Sequence, residues 1–84
     1  MNGMVATVNP TRGMVAVLTN DGDYSILEML GDDPPEIGDR FRWQGDSPLG
    51  GETVENLTQN ITYEVFFQNH QVGRPQVPRQ LLLE

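Results

Sequence analysis

The sequence predicts an all-β fold, a small barrel of five or six strands, and three observations lead to it. Short apolar runs alternate with turn signals at the spacing of about 8–12 residues that is typical of sandwiches and barrels. Nine glycines and six prolines divide most of the chain into pieces too short for a long helix. In a chain of only 84 residues, closing the sheet is an economical way to protect its edges.

Turn residues divide the first third of the chain into three strands. The segment from Asn9 to Gly13 contains a proline and ends on glycine, which is typical of a turn. Asp21-Gly22 predicts a two-residue hairpin loop of type I′. The repeated letters GMVA therefore mark neighbouring strands of a meander, because ten residues are too few for a solenoid unit. The three predicted strands are Met4–Val8, Met14–Thr19 and Tyr24–Leu30.

Three further strands follow a loop that contains two consecutive prolines. In the first of them, Phe41 and Trp43 alternate with charged residues, so both rings are expected on one face of the strand. In the last, alternation predicts an inward set of Ile61, Tyr63, Val65 and Phe67. The three predicted strands are Arg40–Gln44, Thr53–Thr58 and Ile61–Gln68.

The sequence predicts a single domain. Residues 1–72 form the barrel, and residues 73–84 are expected to be an extended, flexible tail because Pro75 and Pro78 interrupt them.

Composition narrows the function classes. Twelve acidic residues face five arginines and no lysine, a net charge of −7, which disfavours binding to nucleic acid and to anionic membranes. Without cysteine and with a single histidine, we expect no metal site and no cofactor. The first residues lack the pattern of a secretory signal, and no apolar run is long enough to span a membrane, so a cytoplasmic protein is expected.

No catalytic motif is visible in the sequence. His70 could act as a base with Ser25 or Ser47 as a nucleophile, but their spacing indicates no triad. We therefore expect a protein that is not an enzyme.

Three motifs resemble those of cold-shock domains, which are five-stranded barrels of the OB type. Val8-Asn9-Pro10-Thr11-Arg12-Gly13 resembles the family's F-N-x-x-K-G, and Gly38–Trp43 resembles G-x-x-V-x-F. Gly51–Leu57 resembles G-x-x-A-x-N-V. The resemblance covers about Met4 to Thr58 and implies an OB-type, cold-shock-like barrel. It also implies that Phe41 and Trp43 lie in the core, because they fall at buried apolar positions of the family.

The family's nucleic-acid site is altered in this chain. Its second and third strands present aromatic rings to single-stranded bases, each ring contributing about 1–3 kcal/mol. The matching positions hold Met14, Ala16, Ser25 and Leu27. The resemblance therefore implies the fold rather than the function.

The predicted hairpin places five apolar residues on one face, and the resemblance implies that the opposite face is the core. The five then form an outward apolar patch, which monomers rarely leave bare. Its members are Met14, Ala16, Leu18, Leu27 and Met29. Three fates are open for it: cover by Ile61–Val72 with Phe66 or Phe67 as a lid, burial against a second copy or another protein, or weak binding of single-stranded nucleic acid.

The sequence thus favours a non-enzymatic binding module whose partner is a protein or a second copy. Weak binding of single-stranded RNA or DNA is the alternative, with Arg12, Arg40 and Arg42 as the phosphate contacts.

Overall fold

A computed structural model describes residues 1–82 and contains six strands and two short helical turns. The strands are β1 (Asn2–Asn9), β2 (Met14–Thr19), β3 (Tyr24–Met29), β4 (Arg40–Arg42), β5 (Gly50–Asn56) and β6 (Ile61–Val72). A 3-10 turn (Arg74–Gln76) and helix α1 (Val77–Gln80) follow.

The strands form a closed antiparallel barrel in the order β1-β2-β3-β6-β5-β4, with β4 returning to β1. This confirms the predicted all-β barrel and its upper strand number. The lid hypothesis required the sixth strand to lie over the apolar patch, and this is not observed. The strand is part of the wall, paired with β3 on one side and with β5 on the other.

The hairpin between β2 and β3 differs from the prediction by one residue in register. Its loop has three residues, 20–22, because the Thr19 amide donates to the Asp23 carbonyl at 2.8 Å. Gly22 has φ +90°, and its amide donates to the Thr19 carbonyl. An odd loop length moves the pairing to Leu18 with Tyr24, where a two-residue loop would pair Leu18 with Ser25. A shift of one residue exchanges the two faces of a strand, so the predicted face of β3 is wrong.

The barrel interior is filled by apolar side chains from all six strands. Phe41, Trp43 and the inward residues of β6 lie there as predicted, except that Ile61 at the start of β6 is exposed. The buried interior cluster comprises Val5, Val15, Val17, Leu27, Phe41, Trp43, Val54, Tyr63, Val65 and Phe67.

A second apolar cluster lies outside the barrel, on the outer face of β2 and β3. Val77 and Leu81 pack there against Met14, Ala16 and Ile26. Val72 joins the cluster because β6 bulges near its end, where Gln71 has φ +55°, and a bulge redirects the side chains that follow it.

The C-terminal segment is therefore not the extended coil that its prolines suggested. Residues 74–80 are helical, which both prolines allow because each lies in the first turn of its helical segment. The side chain of Asn9 donates from Nδ2 to the Leu81 carbonyl at 2.7 Å and ties the segment to β1. Residues 83 and 84 of the predicted tail lie outside the described residues.

Candidate protein-binding surfaces

The structure distributes the predicted apolar patch over several places. Leu27 lies in the barrel interior, and Met29 is half-buried against it. Met14 and Ala16 face outward as predicted, but the C-terminal segment covers them. Leu18 remains exposed. The C-terminal segment, residues 72–81, thus covers Met14 and Ala16, and Phe66 does not.

Phe66 lies at the centre of an exposed acidic face, which we call the Phe66 face. It is formed by the outer side of β3, β6 and β5, and the Phe66 side chain is 42% exposed. Glu28 of β3 and Gly51 of β5 pair with Phe66 across the sheet. Glu64 precedes it by two residues and therefore lies on the same side of β6.

The carboxylates of this face are not neutralised. Glu64 accepts a hydrogen bond from Thr53 Oγ1 at 3.1 Å, and Glu28 accepts a long one from Gln68 Nε2 at 3.4 Å. Within residues 1–82, neither Glu28 nor Glu64 forms an ion pair. Both carboxylates can therefore pair with a cationic group of a partner.

Glycines leave the Phe66 ring accessible. A Cβ atom at Gly50 would lie 4.0 Å from Phe66 Cε2, and one at Gly51 would have no neighbour within 4 Å. Since β5 presents no side chain at either position, the ring is open on that side.

A second exposed surface lies across β2, β1 and β4, and we call it the Arg40 groove. It has a volume of about 340 Å³ and is lined by the exposed side chains of Met4, Leu18 and Leu57. Met4 pairs with Leu18 on one side and with Arg40 on the other. The Arg40 guanidinium forms no ion pair or hydrogen bond with any residue from 1 to 82.

The three predicted phosphate contacts do not share one surface. Arg40 lines the groove, whereas Arg42 forms an ion pair with Glu55 at 3.0 Å. Arg12 lies two residues before β2 and lines a different cavity, together with Glu28 and Gln68. Of the four positions that would stack bases, Met14 and Ala16 lie under the C-terminal segment, whereas Leu27 lies in the barrel interior and Ser25 is buried.

A buried polar network closes one end of the barrel near these surfaces. Asp39 Oδ2 accepts hydrogen bonds from the Glu36 amide at 3.0 Å, Asn56 Nδ2 at 2.7 Å and Gln59 Nε2 at 2.6 Å. Burial by itself raises the pKa of Asp39, but these three donors outweigh it and hold the pKa below the ordinary 3.8. Burial likewise raises the pKa of the Tyr63 phenol, which accepts a bond from Asn56.

The structure brings His70 and Ser25 together, which their sequence spacing did not indicate. Ser25 Oγ lies 2.8 Å from His70 Nδ1, and His70 Nε2 donates to the Pro48 carbonyl. The acceptor in the third position is thus a backbone carbonyl rather than a carboxylate, and Ser25 is only 2% exposed. The Ser25 hydroxyl is therefore shielded from a substrate. Its contact with His70 links β3 to β6, and the bond from His70 to Pro48 links β6 to the loop before β5.

Among residues 1–82, no group of three histidine, cysteine or acidic side chains is placed to hold a metal ion. The same residues include no helix that is long and apolar enough to cross a membrane.

No protein-family model, curated protein or solved structure matches this chain.

Proposed function

We propose that this protein is a non-enzymatic binding module that recognises a cationic segment of a protein partner through the Phe66 face. The observation that carries the proposal is the exposed Phe66 ring, flanked by two carboxylates that form no ion pair within residues 1–82. An aromatic face attracts an arginine or lysine by about 0.5–1 kcal/mol at an exposed site. Carboxylates beside the ring add charge complementarity and orient the cation.

The charge of the whole molecule supports the same partner. A net charge of −7 attracts basic segments and accelerates their encounter with the face. The outer face of β2 and β3 supports a protein partner rather than single-stranded nucleic acid, because the C-terminal segment covers Met14 and Ala16 and Leu27 lies in the barrel interior.

The resemblance to cold-shock domains supports a shared fold but not a shared ligand. We propose a diverged barrel of that type in which Asn9, one of the motif residues, holds the C-terminal segment over the former stacking face.

A short peptide of alternating arginine and glycine tests the proposed function, with amide-resolved NMR as the readout. We expect shift changes at Gly51, Glu64 and Phe66, and a decrease in affinity as salt is added. Phe66→Leu keeps the apolar volume but removes the aromatic face, so the affinity should fall about 2- to 5-fold.

The matched control is Glu36→Gln, which removes an exposed negative charge from a loop outside the face. The same peptide with glutamate in place of arginine should not bind. Binding that Phe66→Leu leaves unchanged would contradict the proposal, as would shifts confined to another surface. Shifts at Arg12, Arg40 and Arg42 with a short single-stranded oligonucleotide would favour the nucleic-acid alternative instead.

A further inference from the structure

The Phe66 face and the Arg40 groove lie on opposite sides of the barrel. In the closed strand order, β1 at the centre of the groove and β6 at the centre of the face are three steps apart in either direction, through β2 and β3 or through β4 and β5. One surface therefore remains free when the other is occupied.

The two surfaces are complementary in both polarity and charge. The groove offers exposed apolar side chains around a guanidinium that has no partner within residues 1–82. The face offers a projecting phenyl ring between two carboxylates. Phe66 of one copy would bury the apolar walls of the groove of another copy, while Arg40 would reach the ring and the carboxylates.

We propose that the occupant of the Arg40 groove is the Phe66 face of a second copy of this chain. The inference rests on the proposed function, because it takes Arg40 of the neighbouring copy as a cation that the face recognises. The proposed function uses only the Phe66 face, whereas this inference also assigns a role to the Arg40 groove.

Contact between two different surfaces is heterologous, and it closes only if the rotation between copies produces a ring. Because the two surfaces lie on opposite sides, a two-fold dimer that uses both contacts at once is ruled out by geometry. Copies should therefore add head to tail, and the mass should increase beyond a dimer as concentration rises.

Net charge opposes this association and sets its salt dependence. Each copy carries −7, and this repulsion extends over about 30 Å at 0.01 M salt but only about 8 Å at 0.15 M. We expect weak association that strengthens as salt rises from the low end of this range.

Sedimentation of the full chain over a wide concentration range tests the inference. Arg40→Glu should lower the association constant about tenfold or more, equivalent to about 1.4 kcal/mol, since it places a carboxylate opposite Glu28 and Glu64. Phe66→Ser should have a similar effect because it removes the group that fills the groove. Thermal unfolding of each variant checks that it folds, and Leu57→Asp provides a second groove variant.

A mixture of the two disabled variants gives the sharpest outcome. Arg40→Glu retains a working face, and Phe66→Ser retains a working groove, so their mixture should form a heterodimer and nothing larger. Glu36→Gln should associate like the unmodified protein.

Three results would overturn the inference: a monomer at every concentration, association that neither variant weakens, or growth of the unmodified protein that stops at a dimer. If the arginine peptide still binds the face while the protein remains monomeric, the self-association fails and the proposed function stands. If the peptide does not bind either, both fail.

Discussion

The indole of Trp43 packs inside the barrel against Phe67, with ring centroids 5.2 Å apart, and its side chain is 4% exposed. Its Nε1 is buried and has no hydrogen-bond acceptor among residues 1–82. Trp43→Ala should cost about 3–5 kcal/mol, which is comparable to the net stability of a domain of this size, and should unfold the protein.

Trp43→Phe separates packing from hydrogen bonding. It keeps an aromatic ring in the core and removes an N–H group that has no partner within residues 1–82, so it should retain most of the stability. Urea unfolding measures both variants, and tryptophan emission reports burial. A folded Trp43→Ala variant, or native emission at the solvent-exposed wavelength, would refute this prediction.

Asp39 makes the stability of the domain sensitive to acid. Because its folded-state pKa lies below the ordinary 3.8, its contribution is complete above that value and is lost as the pH falls through the lowered value. Asp39→Asn should therefore destabilise the protein at neutral pH and reduce its further loss in acid. Unfolding midpoints across this range measure the effect, with Asp46→Asn in an exposed loop as the control. Equal acid sensitivity of Asp39→Asn and the unmodified protein would argue against this role.

At the scale of elements, the C-terminal segment is part of the folded core. Two adjacent leucines allow a matched test, because Leu81 is buried and Leu82 is exposed. Leu81→Ala should lower the free energy of unfolding by about 2–5 kcal/mol, while Leu82→Ala should change it by less than about 0.5 kcal/mol. Chemical denaturation measures both, and equal effects would show that the segment does not stabilise the barrel.

A substitution in β5 should raise the stability of the protein and lower its affinity for the arginine peptide. Gly51→Val adds a β-branched neighbour beside Phe66 in a position with no atom within 4 Å. Such a cross-strand pair contributes about 0.2–1 kcal/mol, and the loss of glycine also restricts the unfolded chain. We expect a higher melting temperature together with weaker binding of the arginine peptide, because the valine covers part of the ring. Unchanged peptide affinity would show that access to the ring from β5 is not needed.

At the scale of the whole molecule, repulsion among like charges opposes folding. The net charge is −7, and within residues 1–82 the ion pair that forms is the exposed Arg42–Glu55 pair. Screening should therefore stabilise the fold, and the melting temperature at neutral pH should rise as sodium chloride is added. The rise should be smaller near the isoelectric point of about 4.4. A melting temperature that falls with salt at neutral pH would mean that attractive pairs dominate.

The sequence by itself determined the strands, because a period of two and the turn residues are local properties of the chain. Glycine, proline and Asp-Gly located the loops, and alternation identified most inward residues of β6. The resemblance to cold-shock domains placed Phe41 and Trp43 in the core. Alternation also identified Phe66 as the ring on the opposite face of β6.

Only the tertiary structure decided which outward residues stay exposed. In the repeated GMVA motif, Val5 and Val15 both face the interior, and Met4 and Met14 both face outward. Met4 is 49% exposed and Met14 only 8%, because the C-terminal segment lies over Met14 and not over Met4. Identical local sequences cannot encode this difference, since it depends on a segment about 60 residues further along the chain. The register of the β2–β3 hairpin likewise depended on the closed barrel. A one-residue shift exchanges the two faces of β3, and the observed register is the one that places Leu27 inside.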